Sequence, residues 1–594
     1  KRIQIEPHLS VTGANSAEWV PIKPKTDAAF MMTLIHVMLH ERPRPDLDLH
    51  FLKHHTSSPY LVGPNGFFLR DPETEKPLVW DETSDRAVPF DTPGIEPRLD
   101  GAATASGIEL GADDERWTHD AIPVHPSFAL LVELVRERTP DWAAEVCEVE
   151  TVRRLANAFV DHARVGETIE IDGRVLPFRP VAVTLGKTVN NGWGGFDCCW
   201  ARTMLACLVG ALEVPGGTLG TTVRLNRPAT SRQASVKPTN DGLMDYPMNP
   251  TDAKNWQDRP AVRNAHRTLV PLSANSPWSQ ALGPTHLAWM LQSETPEHFP
   301  EATPPDIWIV YRTNPSISFW DTGKVVDTIA NFPFTICFAY TPDETNHLAD
   351  ILLPDCTDLE SLQLIRIGGT KYVEQFWDHQ GFALRQPAVA AAGEARDFTW
   401  IATQFAKAAG LLPEYNAAIN RGAQGVRLKT DAYDFSLDEG AEHGVEEIWD
   451  RTCRAASAEL TGGADNHGLD YFKEHGYRSK PFSRLNWYLF PALADQGLRF
   501  ELPYQERLYR VGKQLANRLH ERDIHWWDKQ LAEYTPMPEC HDLPALWERA
   551  LADNFNVDIG EFPFWLLTAR SMQYAWGGNA DIQVIKEVAG NVAG

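Results

Sequence analysis

Apolar residues recur at helical spacing near the start of the chain. Positions 28, 31, 34, 35, 38 and 39 are apolar, which is the period of a helix with one buried face. This pattern predicts a helix over residues 27–41, with Thr26 or Asp27 as its N-cap. Two further helical patterns cover residues 126–160 and 196–212.

A strand–helix–strand pattern lies in the middle of the chain. Residues 307–311 and 334–339 are short apolar runs, and the helical pattern 322–331 lies between them. A third run, 350–353, stops at a proline. This order is typical of parallel sheets, so we predict an α/β fold with parallel and mixed sheets flanked by helices.

Strands are also predicted outside this unit. Alternation at Ile3 and Ile5 indicates a short first strand. Residues 57–115 alternate short apolar pieces with turn residues, which predicts an excursion of β-hairpins. Residues 180–185 form a predicted strand that runs into a glycine-rich segment, and residues 564–568 form a last one.

Composition and charge exclude some classes of function. The 594 residues suffice for more than one domain. The chain has 55 basic and 80 acidic residues, a net charge of −25, which argues against a protein that coats nucleic acid. No apolar run of about 18 residues, the length that spans a bilayer, occurs in the sequence.

The cysteine spacing excludes two kinds of metal site. The chain contains eight cysteines, and no two are spaced as C-x-x-C. The sequence therefore predicts neither a zinc ribbon nor an iron–sulfur ligand run within this chain. We expect free, buried thiols.

Three strand ends carry glycines or polar residues where open α/β sheets bind ligands. They are residues 186–195, 312–316 and 339–345. Glu6 follows the first strand and could accept from ribose hydroxyls, while Asp27 at a helix start could accept from a guanine edge. Each feature has a plainer interpretation, as a simple turn or a simple N-cap.

Five segments, in order along the chain, resemble the molybdopterin oxidoreductases of the dimethyl-sulfoxide-reductase type. Residues 19–29, WVPIKPKTDAA, resemble the signature W-x-P-I-x-P-G-T-D-x-A. Residues 6–8 resemble D-P-R, and residues 312–318 resemble x-x-N-P-x-x-S. Residues 347–354 resemble T-A-x-x-A-D-x-x-L-P, and residues 567–570 resemble L-T-G-R. Departures are Glu6 for Asp, His8 for Arg, and Lys25 and Ala569 for Gly.

The resemblance implies a bis-molybdopterin guanine dinucleotide cofactor around one molybdenum or tungsten. The residues that would hold one dinucleotide are Glu6, Thr26 and Asp27. Those that would hold the other are Gly186, Lys187, Thr313, Asn314, Ser318, Asp343 and Asp350. Those that would contact the pterin from the last domain are Thr568, Arg570 and Ser571.

The same resemblance implies a domain plan. Residues 1–186 and 187–411 would be two α/β dinucleotide-binding domains, 412–558 an insertion or interdomain segment, and 559–594 the start of a C-terminal cofactor domain. The metal-ligating side chain and the four-cysteine motif of a 4Fe–4S cluster would precede Lys1. We therefore expect a piece of a longer protein, and we name no metal ligand.

Residues 366–379, RIGGTKYVEQFWDH, with 485–488 and 525–530, resemble the phenylacetyl-CoA:acceptor oxidoreductase branch. That branch oxidises the CH₂ beside the thioester, giving phenylglyoxylate with water as the oxygen source. Glu374 and His379 lie among aromatic residues and could move protons there; alternatively, the aromatics are core and His379 bonds a backbone carbonyl. Arg366, Lys371 and Arg385 could bind CoA phosphates, or be ordinary surface cations.

Two other interpretations stay open. One is a respiratory reductase of the same family that acts on a small oxyanion or a sulfur compound. The other is a non-catalytic scaffold that keeps the cofactor-cradling fold. For the enzyme we expect an iron–sulfur electron-transfer subunit, a membrane-anchor subunit, an acyl-CoA or other small substrate and no nucleic acid. We expect it in the cytoplasm, either free or at the inner membrane through its partners.

Overall fold

The structure, a computed structural model, describes most of the chain. The described residues are 1–113, 115–186, 189, 194–219, 236–245, 306–318, 321–367, 379–481, 483–521, 523, 525, 528–532, 534–539, 543–564 and 583–593. They form several small sheets flanked by helices, which confirms the predicted α/β class. Within these residues, no helix combines the length and apolar character that a bilayer crossing requires.

The first part of the chain is mainly helical. A parallel strand pair, β1 (Ile3–Ile5) and β2 (Glu18–Val20), encloses the short helix α1 (Val11–Ala14). The helices that follow are α2 (Asp27–His36), α3 (Leu49–His55), α4 (Ser127–Leu134), α5 (Pro140–Cys147), α6 (Val152–Ala163) and α7 (Gly195–Leu208). A π-helical turn, Val37–Glu41, extends α2, so the predicted span 27–41 is helical throughout.

Helix α2 lies at the centre of the largest hydrophobic core. Eight of its ten residues are buried, because α5, α6 and α7 all pack against it. Phe30, Met32 and Ile35 of α2 lie in one cluster with Met204 and Leu208 of α7. Such a buried helix holds the side chains at its N-terminus, including Asp27, in a fixed position.

The predicted hairpin excursion is confirmed, and it extends to residue 126. Its strands are β3 (Leu61–Val62), β4 (Leu78–Asp81), β5 (Arg86–Pro89), β6 (Ala103–Leu110) and β7 (Arg116–Pro126). The pairs β4–β5, β6–β7 and β3–β7 are antiparallel. Short strand pairs follow as β8 (Thr168–Ile171) with β9 (Arg174–Pro177), and β10 (Lys237–Pro238) with β11 (Met244–Asp245).

The predicted parallel unit is confirmed as a three-stranded sheet. Strand β13 (Phe334–Ala339) lies between β12 (Ile307–Tyr311) and β14 (Ile351–Pro354), and both pairings are parallel. Helices α8 (Pro315–Ser318) and α9 (Thr322–Ile329) connect β12 to β13. Helix α10 (Phe398–Ala408) covers one face.

A second three-stranded sheet is antiparallel. Its strands are β15 (Gln363–Ile367), β16 (His379–Arg385) and β17 (Tyr477–Pro481), with β16 in the middle. The helices beside it are α11 (Leu412–Asn420), α12 (Val445–Thr461) and α13 (Leu469–His475). Residues on both sides of the predicted boundary at 411/412 share one hydrophobic cluster, although the domain plan itself stays a prediction.

The last helices are α14 (Phe490–Gln496), α15 (Glu506–His520), α16 (Asp528–Leu531), α17 (Leu543–Phe555) and α18 (Gln583–Ala593). Helix α15 packs on the hairpin excursion through a buried ion pair. Glu506 accepts from Arg70, which also pairs with Asp241. Both partners of the Arg70–Glu506 pair have almost no solvent exposure.

Three predicted elements differ from the structure. The helical pattern 126–160 is divided into the three helices α4, α5 and α6, with breaks at residues 135–139 and 148–151. Residues 180–185 form no strand; in place of a strand partner, the Val183 carbonyl accepts from the Arg202 side chain of α7. The apolar alternation is explained by packing, since Val181 is buried. The predicted helix 196–212 begins one residue earlier and ends at Leu208. The predicted strand 564–568 lies, except for its first residue, outside the described residues.

Candidate cofactor-binding site

Asp27 is the first residue of the buried helix α2. Burial raises the pKa of its carboxyl, although Lys25 opposes this. Thr26 occupies the N-cap position, but its hydroxyl donates to the Lys23 carbonyl at 2.7 Å and caps no amide. Thr26, one of the two predicted N-cap residues, is therefore the N-cap, and it makes no side-chain hydrogen bond to the helix.

Lys25 stands at the position where the resembled signature has a glycine, and its backbone conformation is one that suits glycine. Its φ is +65°, in the left-handed region that costs a residue with a Cβ about 1–2 kcal/mol. Glycine adopts this conformation without the penalty. Lys25 thus departs from the signature in residue type but keeps the backbone turn that places Asp27 at the helix start.

The start of helix α7 lies beside Asp27. Burial, with Asp27 and Asp197 as acidic neighbours, raises the pKa of the Cys198 thiol far above its usual value. Gly194, with φ +73°, caps this helix. The end of the predicted loop 186–195 is therefore brought to Asp27. Gly186 is exposed, and Lys187 lies outside the described residues.

Glu6 organises its own turn. Its Oε1 accepts from the Ser10 amide at 2.9 Å and hydroxyl at 2.7 Å, and Oε2 accepts from Gln4 at 3.1 Å. Burial pushes the pKa of Glu6 upward, but these hydrogen bonds outweigh it and the net shift is downward. Both oxygens are thus engaged, which leaves limited capacity for ribose hydroxyls.

Asn314 joins two loops at the carboxyl edge of the parallel sheet. It is buried, and its Nδ2 donates to Glu344 at 2.6 Å. Its Oδ1 accepts from the buried Thr345 hydroxyl at 2.7 Å. Ser316, also buried, donates its amide to Thr345. Asn314 therefore shapes the two predicted loops, while Thr313 and Ser318 beside it are exposed.

Arg312 anchors the same edge. Its φ is +47°, and its guanidinium donates to Asp355 at 2.6 Å and to the Cys356 carbonyl. It also lies over the rings of Tyr311 and Tyr340. The Arg312–Asp355 pair connects the end of β12 to the end of β14.

The two predicted aspartates of this sheet lie at opposite edges. Asp343 follows β13 and accepts from the amides of Thr345 and Asn346, which fixes its loop. Asp350 instead accepts from the Thr335 amide at 2.7 Å, at the amino end of β13. Strand rise separates the two edges by roughly 13 Å. The structure therefore does not bring Asp350 to Asn314.

The predicted substrate residues are dispersed. His379 begins β16 and is exposed, and Glu374 lies outside the described residues. Arg366 is paired with Glu459 at 2.7 Å, and Arg385 with Asp358 at 2.9 Å. These cations are already engaged by acids. The predicted pterin contacts of the last domain, Thr568, Arg570 and Ser571, and the cation Lys371 also lie outside the described residues.

A cavity of about 340 Å³ lies against the other side of helix α7. Cys199 and Trp200 line it, opposite Arg499, Glu501 and Arg507. Glu501 accepts from the Arg507 amide at 2.8 Å and from its side chain; burial raises the pKa of this carboxyl, and Arg507 opposes the rise. The charged residues of the lining are thus two arginines and one glutamate, a formal excess of one positive charge.

Helix α7 thus separates two features. Cys198 lies on the Asp27 side and its neighbour Cys199 lines the cavity. Of the eight cysteines, seven lie in the described residues; as expected, none of these seven forms a disulfide, and six of them are buried. The cavity was not anticipated, because residues 196–203 and 499–507 are about 300 positions apart.

The family profile of the molybdopterin oxidoreductases matches residues 1–408 of this sequence. The chain belongs to the molybdopterin oxidoreductase family. It is 25% identical to a sulfite dehydrogenase subunit from Allochromatium vinosum, over 96% of this chain and 63% of that protein. The chain therefore spans less than two thirds of that relative. Acetylene hydratase from Pelobacter acetylenicus aligns at 15% identity and a TM-score of 0.40, over 69% of this chain and 43% of that one.

Membership of this family implies a molybdopterin cofactor with molybdenum or tungsten. The donor set of the described residues fits one end of such a group. A guanine edge presents N–H donors, and the half-buried Asp27 carboxylate at a helix start can accept them. Thr313 and Ser318 are exposed and flank the loop that Asn314 fixes. Their hydroxyls are available to a second polar end of the cofactor.

Proposed function

We propose that this chain is the cofactor-binding catalytic subunit of a molybdenum or tungsten oxidoreductase that oxidises a small sulfur oxyanion of the sulfite type. The observation that carries the proposal is the alignment of 96% of the chain with the sulfite dehydrogenase relative, together with the family profile over residues 1–408. The reaction would add one oxygen from water to the substrate and release two protons and two electrons.

The cavity beside α7 supports a small anionic substrate. Its volume of about 340 Å³ is at the lower end of small-molecule sites. Arg499 is buried, and its Nη1 donates to the carbonyls of Lys53 and Thr56. With Arg507 it gives the lining an excess of positive charge. Such a lining would attract an oxyanion and hold it by charge-assisted hydrogen bonds.

The proposed cofactor is the bis-molybdopterin guanine dinucleotide. When bound, it supplies two-electron chemistry at its metal. Asp27 would hold a guanine edge, and Glu6 would keep the β1–α1 turn in place beside it. Around Asn314, the loops after β12 and β13 would hold the second nucleotide through Thr313 and Ser318. Asp350 would act indirectly, by fixing the amino end of β13.

We propose partner proteins as well. The sulfite dehydrogenase relative is named as one subunit of its enzyme, and electrons taken from a substrate must leave the protein. An iron–sulfur subunit is the partner we propose for that transfer, with a 4Fe–4S cluster next to the cofactor and a membrane-anchor subunit beyond it. The surface available for this is acidic overall, with a net charge of −25.

A second candidate is oxidation of phenylacetyl-CoA. It is supported by the sequence resemblance of residues 366–379. Two observations count against it. Arg366 and Arg385 would have to leave Glu459 and Asp358 to receive CoA phosphates. A whole acyl-CoA also exceeds the cavity beside α7.

The test uses the whole protein that carries this sequence, purified with its partners and cofactor. Reduction of an artificial dye is followed with sulfite and, separately, with phenylacetyl-CoA. Sulfite-dependent reduction is expected. Reduction by phenylacetyl-CoA alone would replace the first proposal with the second. A protein that holds metal and pterin but oxidises neither substrate would contradict both proposals. A protein that holds no metal and no pterin would support the scaffold interpretation.

A further inference from the structure

A cluster of metal-ligating side chains lies far along the chain from the cofactor loops. His520 ends helix α15 and Asp528 begins helix α16, with His525 between them. His520 Nε2 lies 2.7 Å from Asp528 Oδ1, and His525 Nδ1 lies 3.2 Å from Oδ2. The two imidazole rings stack at 4.6 Å. Two imidazoles thus converge on one carboxylate.

The geometry is close to that of a coordination site. One ligand atom from each residue can be chosen so that all three lie within 4.8 Å of one another. A tetrahedral ion with bonds of about 2.1 Å needs ligand atoms roughly 3.4 Å apart. Small side-chain rotations would therefore suffice. All three side chains are exposed, so water can complete the shell.

We propose that His520, His525 and Asp528 bind a divalent transition-metal ion, with zinc as the best match. Two imidazole nitrogens and one carboxylate oxygen are ligands that suit zinc, copper and nickel rather than magnesium or calcium. None of the three residues belongs to the predicted cofactor loops, and the proposal does not depend on the proposed reaction.

The ion would connect α15 to α16. Along α15, Gln514 and Asn517 hold the hairpin excursion through the Ala112 carbonyl and Asp113. The metal would fix the far end of that helix, across the short segment from 521 to 527. Its expected effect is structural: a stabilised α15 and a firmer contact with the hairpins.

The test is zinc binding by the full chain, measured by titration calorimetry with ZnCl₂ after treatment with a chelator. Wild type is compared with Asp528→Asn, His525→Ala and the control His162→Ala, which changes an exposed histidine on α6. We expect one site in wild type and the control. In the other two variants we expect affinity to fall at least about tenfold.

A second readout is independent of catalysis and of the number of other zinc sites. Cobalt(II) substitution should give a visible absorption band in wild type and in His162→Ala that is lost in Asp528→Asn. Circular dichroism checks that each variant is folded. Equal zinc affinity in all four proteins, or no binding at micromolar zinc, would overturn the proposal.

Discussion

Removal of the Arg312 guanidinium should open the parallel sheet that carries the predicted nucleotide loops. Asp355 has a fully buried side chain, and its Oδ2 accepts from Arg312 at 2.6 Å. Burial raises the pKa of Asp355, and Arg312 is the main opposing influence. In Arg312→Met the carboxylate would stay buried without its cation.

The expected cost follows from these contacts. Breaking a buried ion pair by removing one partner costs about 3–5 kcal/mol. The Arg312 side chain is 25% exposed, so we expect a cost at the lower end of this range. A cost of about 3 kcal/mol corresponds to roughly 100-fold faster local opening. In an Asp355→Asn background, the same change should cost only about 1 kcal/mol, because no buried charge is left unpaired.

Hydrogen-exchange mass spectrometry of β12 and β13 measures this opening directly, and needs no assumption of two-state unfolding. Arg385→Met is the matched control. Arg385 pairs with Asp358, whose side chain is 68% exposed, so exchange should change only a few-fold. The reasoning is refuted if Arg312→Met and Arg385→Met accelerate exchange equally, or if Asp355→Asn gives no rescue.

Three other predictions concern single residues. Burial lowers the pKa of His55 to about 4, so stability should be lost as pH falls from 6.5 toward 4, and His55→Gln should flatten that part of a urea-midpoint profile. Lys25→Gly should raise stability by about 1 kcal/mol, since φ is +65°, with no gain in Lys25→Ala. Asn314→Ala, which leaves the buried Thr345 hydroxyl with only Ser316 Oγ as acceptor, should cost about 1–3 kcal/mol and lower the bound pterin content measured by fluorescence.

Local patterns predicted the elements that bury a continuous face. The run at β13 was predicted because its residues are apolar in succession, and its four central residues are buried. The helix over 27–41 was predicted because its buried positions follow the helical period. The strand predicted at 180–185 was wrong because alternating apolar residues indicate burial, and a residue such as Val181 can be buried without a neighbouring strand.

The candidate site was predicted less completely. Asn314 follows strand β12, as the strand pattern predicted, but its bonds to Glu344 and Thr345 span about 30 positions, which no local pattern reveals. The same holds for the Arg312–Asp355 pair, 43 positions apart. Asp350 was predicted as a cofactor-binding residue from its motif alone. Its position on the sheet, at the amino end of β13, depends on where β14 begins.

The most direct test of the account is the guanine nucleotide and metal content of the whole purified protein, compared with that of Asp27→Ala. The account predicts two guanine nucleotides for each molybdenum or tungsten in the wild-type protein. It predicts less bound nucleotide in the variant, at unchanged secondary structure. A folded wild-type protein that releases no guanine nucleotide and holds neither metal would contradict it.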